Sequence, residues 1–448
     1  TPNPKPQTPN PKPQTPLDNL RMSTPIMRQQ APSLRRLFGL WKDVPIPPIE
    51  PILGLNEEYH KCTNPNKVNL TIGIYRDDYG NPFVLPCIKV AKKILHEKIG
   101  ERNDYLSEAG DEEFLDLAIK LAYGEDSKAV KEKRVARVQT LSGTGGCFTG
   151  IEFIRVCYKQ KGKAVPTVYC TQPTWPVHPA MIESADLQLK YLRYYCTKTR
   201  GLDFEGLIED IQRADEGSVF LLHACAHNPT GVDPTPEQWN IIAKEFQKKN
   251  HLVFFDMAYQ GFASGELQTD NYPIRLWQQM GIPFMLSQSF AKSLGLYGHR
   301  TGTFSICCES TAERDRIQET LEFLTLDHQF PPRYGSDLAK IVLSDEGLMK
   351  MWQDDLHTMA WRIRDMRQDL VIALTATGSP YNWSHLRRQI GMFAFTGLEP
   401  KHVEHLIKHY SIYLVYTGRV SMSGLNMNNV QYVAQCFHET TQKIPFTK

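Results

Sequence analysis

Four short segments place polar side chains where apolar runs end. Lys292 stands in Ser289-Phe-Ala-Lys292-Ser, just after the apolar run Pro283–Leu286. Asp256 closes the run from Leu252 to Phe255, and Tyr259 lies a little further on. His223-Ala-Cys-Ala-His227-Asn228-Pro-Thr-Gly231 leaves the run that begins at Ser218. Leu141-Ser-Gly-Thr-Gly-Gly146 follows the strand-like Val135–Thr140 and precedes a helical stretch at Phe148–Ile154. A turn of small residues opening a helix exposes backbone N–H groups and the positive end of the helix dipole. With hydroxyls at Ser142 and Thr144 it reads as a cup for a phosphate. It is neither the dinucleotide fingerprint nor a P-loop, because GxGxxG and the GK[ST] ending are missing. Taken singly, each segment has an ordinary reading as well. A lysine at a strand end is usually solvated, an aspartate there caps a turn, Asn-Pro starts a turn, and a glycine-rich loop can be a plain tight turn.

The elements that must hold these residues are legible. Ser218–Ala224 is a buried strand in pattern. Thr235-Pro-Glu-Gln238 supplies an N-cap, a proline at the first helical position and a capping-box glutamine. Trp239, Ile242, Ala243 and Phe246 then fall on one helical face. The next apolar runs end at Asp256 and before Ser287-Gln-Ser289. Strand, helix and strand in this order predict an α/β fold with a parallel sheet and crossover helices. In such sheets chemistry gathers at the carboxyl ends of the strands, and the polar residues above sit there.

Bulk properties exclude several classes. The chain has 448 residues, of which 41% are hydrophobic and 22% charged, with a formal net charge of +2. Nothing in that balance calls for nucleic acid or an acidic surface. The ten cysteines are scattered, no CxxC pair occurs, and they read as reduced core thiols. No metal is expected. No apolar run of about 18 residues exists, so membrane insertion is not expected. Residues 1–14 are a direct repeat, Thr-Pro-Asn-Pro-Lys-Pro-Gln, whose alternating prolines block helix and sheet. From Arg21 to Lys42 no acidic residue occurs among five basic ones, interleaved with Leu34, Leu37 and Phe38. That composition suits a mitochondrial transit peptide, with a basic disordered tail as the alternative.

Together the motifs are specific. Ser142-Gly-Thr144, Trp175, His227-Asn228-Pro-Thr-Gly231, Asp256-Met-Ala-Tyr259, Ser289-Phe-Ala-Lys292 and Gly298-His-Arg300 occur in one order. In that order they resemble the aspartate aminotransferases of fold type I, from about Trp41 to the end, and the mitochondrial branch more than the cytosolic one. The resemblance implies pyridoxal 5'-phosphate as cofactor, joined to Lys292 as a Schiff base. It implies that Asp256 pairs with the pyridinium nitrogen and keeps it protonated. Tyr259 and Asn228 would donate to the phenolic oxygen, and Trp175 would lie on the ring face. His178 and His223 would support Asp256 from behind. Ser142, Gly143, Thr144, Ser289 and Arg300 would hold the phosphate. Tyr105 would reach the phosphate of a neighbouring subunit, which implies a homodimer with shared sites. Arg419 would clamp the substrate α-carboxylate, with Gly73 on the approach path. The freed Lys292 amine would act as the base that takes the α-proton, in ping-pong exchange between amino acids and 2-oxo acids.

One departure stands out. The family's second arginine, which binds the distal carboxylate in the partner subunit's site, lies a few residues before a Pro-Pro. Here that stretch is Phe323-Leu-Thr-Leu-Asp-His-Gln-Phe-Pro331-Pro332. Either Thr325 or Leu326 takes the place, and neither binds a carboxylate bidentately. His328 and Arg333 are the two conceivable substitutes. The reading is therefore an aspartate aminotransferase, with drift to neutral or aromatic amino acids, or a catalytically weak paralogue, as alternatives. The expected organisation is a terminal segment 1–43, a large cofactor-binding domain 86–344 with a mostly parallel sheet, and a smaller α/β domain from 44–85 and 345–448. The expected location is the mitochondrial matrix, with the cytoplasm as alternative.

Overall fold

A computed structural model of the chain describes residues 41–45, 51–100, 103–160, 165–328 and 330–447. The proline repeat and most of the basic segment lie outside the described residues. Residues Glu50–Lys448 form one compact unit.

The apolar runs become the strands of a seven-stranded sheet. In chain order these are β1 (Val135–Leu141), β2 (Val168–Gln172), β3 (Leu189–Arg193), β4 (Val219–His223), β5 (Leu252–Met257), β6 (Phe284–Ser289) and β7 (Thr301–Cys307). Their order across the sheet is β1-β7-β6-β5-β4-β2-β3. All neighbours pair in parallel except at β7, which runs antiparallel to both β1 and β6. Strands β4 to β7 are buried along nearly their whole length, as expected where helices cover both faces.

The reversed strand has a geometric effect. The carboxyl ends of β1, β4, β5 and β6 share one edge of the sheet. Because β7 runs the other way, its amino end, with Arg300 just before it, reaches that same edge. The pairing of Thr301 with Leu141 and of Gly302 with Ser289 fixes the register there. Asp256 and Ser289 do not follow their strands, as the sequence pattern suggested, but lie within them: Ser289 closes β6, and Asp256, one residue before the end of β5, faces His223 and Ser287 across the ladder. Pairing uses the backbone only, so a polar side chain costs nothing in that rung if it turns to the open edge.

Helix α1 (Ser142–Gln160) leaves β1 directly and packs on β6 and β7. Its glycines permit that approach: a Cβ on Gly143 would sit 3.1 Å from the Ser289 Cβ. Helix α2 (Val177–Ser184) carries His178, and α3 (Pro236–Lys248) opens with the predicted capping box. There Gln238 N donates to Thr235 Oγ1 at 3.3 Å, and Thr235 N donates to Gln238 Oε1 at 2.9 Å. Two further helices matter below: α4 (Thr311–His328) and the long α5 (Glu346–Ala376). Chain ends meet away from the main sheet, where Val68–Asn69 pairs in parallel with Ile412–Tyr413. No described helix is long and apolar enough to cross a membrane.

Candidate active site

One cavity at the carboxyl edge of the sheet is lined by Ser142, Gly143, Thr144, Trp175, His223, Asn228, Asp256, Tyr259, Ser289, Lys292 and Arg300, with Ala258. The structure thus brings together all the expected cofactor residues except Tyr105.

Asp256 is the centre of the buried network. It is 4% exposed, and its Oδ2 accepts from His178 Nε2 at 3.0 Å. His178 is in turn held through Nδ1 by the Thr174 hydroxyl at 3.0 Å. Burial pushes the carboxyl pKa up. The His178 hydrogen bond and the nearby His178, His223 and Lys292 outweigh it and hold the group below its ordinary value. His223 lies on the neighbouring strand, its ring centroid 5.1 Å from that of His178. Burial drives its pKa down to about 3, so it is neutral at working pH. The other oxygen of Asp256, Oδ1, is buried with no hydrogen-bond partner among the described residues. A buried carboxylate oxygen left this way costs free energy, and a cationic N–H donor brought into the cavity would relieve it.

Lys292 follows β6 and is half-buried, its Nζ 5.3 Å from the Tyr259 ring centroid. Its ammonium pKa is lowered by burial first, opposed by Asp256 and reinforced by Arg300 and Arg419. A lysine so placed gives up its proton more readily than a solvated one. Burial also raises the Tyr259 phenol, so it keeps its proton and can donate.

The opposite end of the cavity collects anion donors. Ser142 opens α1 in the left-handed region at φ 61°, and Arg300 precedes β7 at φ 50°. Ser142 Oγ meets Ser289 Oγ at 2.9 Å. Arg300 Nη2 donates to Thr144 Oγ1 at 3.3 Å, and Nη1 to Tyr297 O at 3.1 Å. Helix dipole, hydroxyls and guanidinium together suit a phosphate.

Arg419 is 4% exposed and lies beside Asn228. Its Nη1 donates to Asn228 Oδ1 at 3.2 Å, its Nη2 to Thr71 O at 2.6 Å, and its guanidinium carbon lies 4.1 Å from the Phe393 ring centroid. With the Asn228 oxygen engaged, the amide nitrogen is the end left to face the cavity as donor. Gly73 does not line the cavity. A Cβ there would sit 2.7 Å from the Phe393 ring, so a larger residue would displace the ring that backs Arg419.

Tyr105 does not line its own chain's cavity. It is 88% exposed and stacks edge-on against Phe330, itself 40% exposed, at 5.4 Å. Of the two residues that can replace the distal arginine, Thr325 is fully buried and gives its hydroxyl to Leu321 O at 2.9 Å. Leu326 is 56% exposed. Arg333 is committed elsewhere, with Nε to Asp104 O at 3.1 Å and Nη2 to Tyr105 O at 3.3 Å. The His328 side chain lies outside the described residues.

Sequence reasoning passed over several residues that shape the site: Thr71, Phe393, Thr174, Ser287 and Cys147. Thr71 lies within Thr71-Ile-Gly-Ile-Tyr75, and its carbonyl, which any residue would supply, is what Arg419 uses. Ser287 Oγ donates to Gly143 O at 2.9 Å and ties α1 to β6. Phe393 and Cys147 carry no sequence signal, because only folding brings them near Arg419 and Asp256.

The family model for aminotransferase class I and II matches residues 65–437. The chain belongs to that family. This aminotransferase is 42% identical over 410 residues to the mitochondrial aspartate aminotransferase of Arabidopsis thaliana, covering 91% of this chain and 94% of the relative. Its fold matches the cytoplasmic aspartate aminotransferase of Saccharomyces cerevisiae at a TM-score of 0.87 and 38% identity, over 91% of this chain and 99% of that one. It also matches the aromatic-amino-acid aminotransferase of Burkholderia pseudomallei covalently bound to pyridoxal phosphate, at a TM-score of 0.85 and 33% identity, over 90% and 99% of the two chains. The aminotransferase has the fold type I architecture, a large mixed sheet flanked by helices, and pyridoxal phosphate is its cofactor. The residues present fit that group: the orphaned Asp256 Oδ1 matches a pyridinium N–H, Lys292 matches the carbonyl carbon, and the Ser142–Arg300 end matches the phosphate.

Proposed function

We propose that this aminotransferase transfers the amino group between aspartate or glutamate and their 2-oxo acids. The observation that carries the reading is the single cavity in which Lys292, Asp256 and Arg300 converge, with Arg419 at its margin beside Asn228. Aspartate is favoured by the relatives named for that substrate at 38–42% identity. When bound, the cofactor supplies a carbonyl that condenses with the amino group and a ring that accepts the electron pair released at the α-carbon.

The chain's own residues do the rest. Ser142, Gly143, Thr144, Ser289 and Arg300 bind the phosphate and fix the ring. Asp256 would hold a proton on the ring nitrogen through Oδ1, and His178 would keep that carboxylate ionised through Oδ2. Asn228 and Tyr259 would donate to the phenolic oxygen, and Trp175 would cover the ring face. Arg419 grips the α-carboxylate of any amino acid. Lys292 Nζ, with its pKa lowered by burial, would serve as the base that takes the proton from the α-carbon.

We read the assembly as a homodimer with shared sites. Tyr105 and Phe330 form an exposed aromatic pair, and Phe323 and Leu326 are exposed as well, which suits burial against a second copy. The N-terminal composition and the mitochondrial relative support import into mitochondria. The pairing of Val68–Asn69 with Ile412–Tyr413 supports a smaller domain built from 44–85 and 345–448.

A second reading concerns preference. With Thr325 buried and Leu326 exposed, no guanidinium stands at the distal position, and one similar structure is an aromatic-amino-acid aminotransferase. Steady-state kinetics of the holoenzyme with aspartate, glutamate and phenylalanine, each against 2-oxoglutarate, separates the two. A kcat/KM for aspartate well above that for phenylalanine supports the first reading; parity or reversal supports the second. No turnover with any of them overturns both.

A further inference from the structure

Behind Asp256, away from the cavity, lies a thiol. Cys147 is fully buried in the second turn of α1 and does not line the site. Its Sγ is 3.9 Å from His178 Nε2. Sγ, His178 Nε2 and a carboxylate oxygen of Asp256 all lie within 4.8 Å of one another.

We propose that Cys147 is a positioning residue for the reaction: its S–H supports the Asp256 carboxylate from the side opposite the cofactor ring. The inference rests on the reading that Asp256 faces the ring nitrogen.

The argument is one of donors and acceptors. An ionised carboxylate only accepts. The 3.0 Å contact between His178 Nε2 and Asp256 Oδ2 therefore carries the imidazole proton on Nε2. That nitrogen then has no lone pair for the thiol, so the S–H cannot donate to it. Burial, and then the charge on Asp256, raise the thiol pKa well above its usual value. Cys147 therefore keeps its hydrogen at working pH and is a neutral donor. Two side-chain acceptors stand near it. One is the Asp256 carboxylate. The other is the Ser287 oxygen, whose own hydrogen is spent on Gly143 O at 2.9 Å. The carboxylate carries the charge and is the stronger acceptor. An S–H bond to it is weak, but it acts on the one group that sets the proton affinity of the ring nitrogen. Withdrawing it leaves Asp256 more basic. A more basic Asp256 draws the ring proton towards itself and makes the ring a poorer electron sink.

The test uses the holoenzyme and two readouts independent of turnover. The first is the infrared S–H stretch of Cys147, identified as the band lost in Cys147→Ala. It is expected at lower frequency in wild type than in Asp256→Ala, and unchanged in Ser287→Ala. A band that ignores Asp256→Ala, or shifts with Ser287→Ala alone, overturns the proposal. The second is the pH midpoint of the bound cofactor's absorbance change. In Cys147→Ala it is expected to rise by about half a unit, a small shift on the scale of charged neighbours, while Cys147→Ser, which restores a donor, brings it back to or below wild type. If Cys147→Ala and Cys147→Ser move it equally, packing and not hydrogen bonding is at work and the proposal fails. If Asp256→Ala itself leaves the midpoint in place, the assignment of Asp256 to the ring fails first. If Asp256→Ala moves it and Cys147→Ala does not, the role of Cys147 alone is refuted.

Discussion

The backbone N–H of Ser142 donates to the carbonyl of Arg300 at 3.1 Å, and both residues are left-handed. Non-glycine residues in that region cost of order 1 kcal/mol each and persist where surrounding structure over-determines them. Here the ends of β1 and β7 do so: one hydrogen bond locks the start of α1 to the guanidinium that completes the proposed phosphate site.

Gly302 is what lets the two approach. A Cβ on it would sit 2.6 Å from the Ser142 carbonyl carbon and 2.7 Å from Gln288 O, both rigid backbone. Gly302→Ala is expected to push Ser142 off its strained position. The dissociation constant for pyridoxal phosphate should rise at least ~10-fold, about 1.4 kcal/mol, read by equilibrium titration of the apoenzyme. Unchanged affinity would mean that Ser142 contributes little to holding the phosphate.

Lys292 and Asp256 should separate by assay. After borohydride reduction of the holoenzyme, mass spectrometry is expected to place the pyridoxyl adduct on Lys292, and an adduct on another lysine would remove it from its role. Lys292→Ala should still bind cofactor, now reversibly. Asp256→Ala should lose rate far more than occupancy, because the phosphate end of the site stays intact. Normal turnover in that variant would reduce Asp256 to a strand-end residue.

The sheet and most of the cavity lining were legible because the strands announce themselves as apolar runs and the functional side chains stand at or just past their carboxyl ends; Arg300, just before the amino end of β7, does not follow that rule. Lys292, Asp256, Asn228 and Ser142 needed only that rule and a resemblance of motifs. The reversal of β7 was not legible: nothing in Thr301–Cys307 distinguishes an antiparallel from a parallel core strand. Nor was the backing of Arg419 by Phe393, residues far apart in sequence whose contact only folding creates. The choice between Thr325 and Leu326 was open for a simpler reason. Adjacent positions on a helix point about 100° apart, so which one faces outward depends on how α4 is rotated against β1 and α1.

Acid should weaken the fold through its buried histidines. Burial lowers His223 from 6.5 to about 3. Between those values the unfolded chain binds a proton that the folded chain does not. Stability is therefore full above about pH 6.5 and falls as the pH drops towards 3. Asp233 and Asp270, raised by burial to about 6, act in the opposite sense over part of that range, so the informative quantity is a difference. Between about pH 7 and about pH 5, His223→Gln should lose less stability than wild type, by on the order of 1 to 2 kcal/mol. Parallel curves from urea denaturation would show that His223 takes up its proton as readily in the folded chain as in the unfolded one.

The specificity prediction falls on Leu326. Thr325 spends its hydroxyl inside its own helix and is buried, whereas Leu326 is 56% exposed and free to meet a neighbouring chain. A leucine offers nothing to a distal carboxylate. It also spares an apolar side chain the cost of stripping water from an unpaired guanidinium. Leu326→Arg is therefore expected to raise kcat/KM for aspartate at least ~30-fold, roughly 2 kcal/mol of transition-state binding, and to lower it for phenylalanine. Thr325→Arg should instead unfold or destabilise α4, since it forces a charge into a buried position. Arg333→Ala should leave the ratio of aspartate to phenylalanine unchanged, because that guanidinium clasps the Asp104 and Tyr105 carbonyls. Its expected effect is on cofactor retention, through a loosened Tyr105. Should Arg333→Ala abolish a preference for aspartate while Leu326→Arg does nothing, Arg333 would be the distal-carboxylate ligand, and its contacts in the single chain would have to give way in the assembled enzyme.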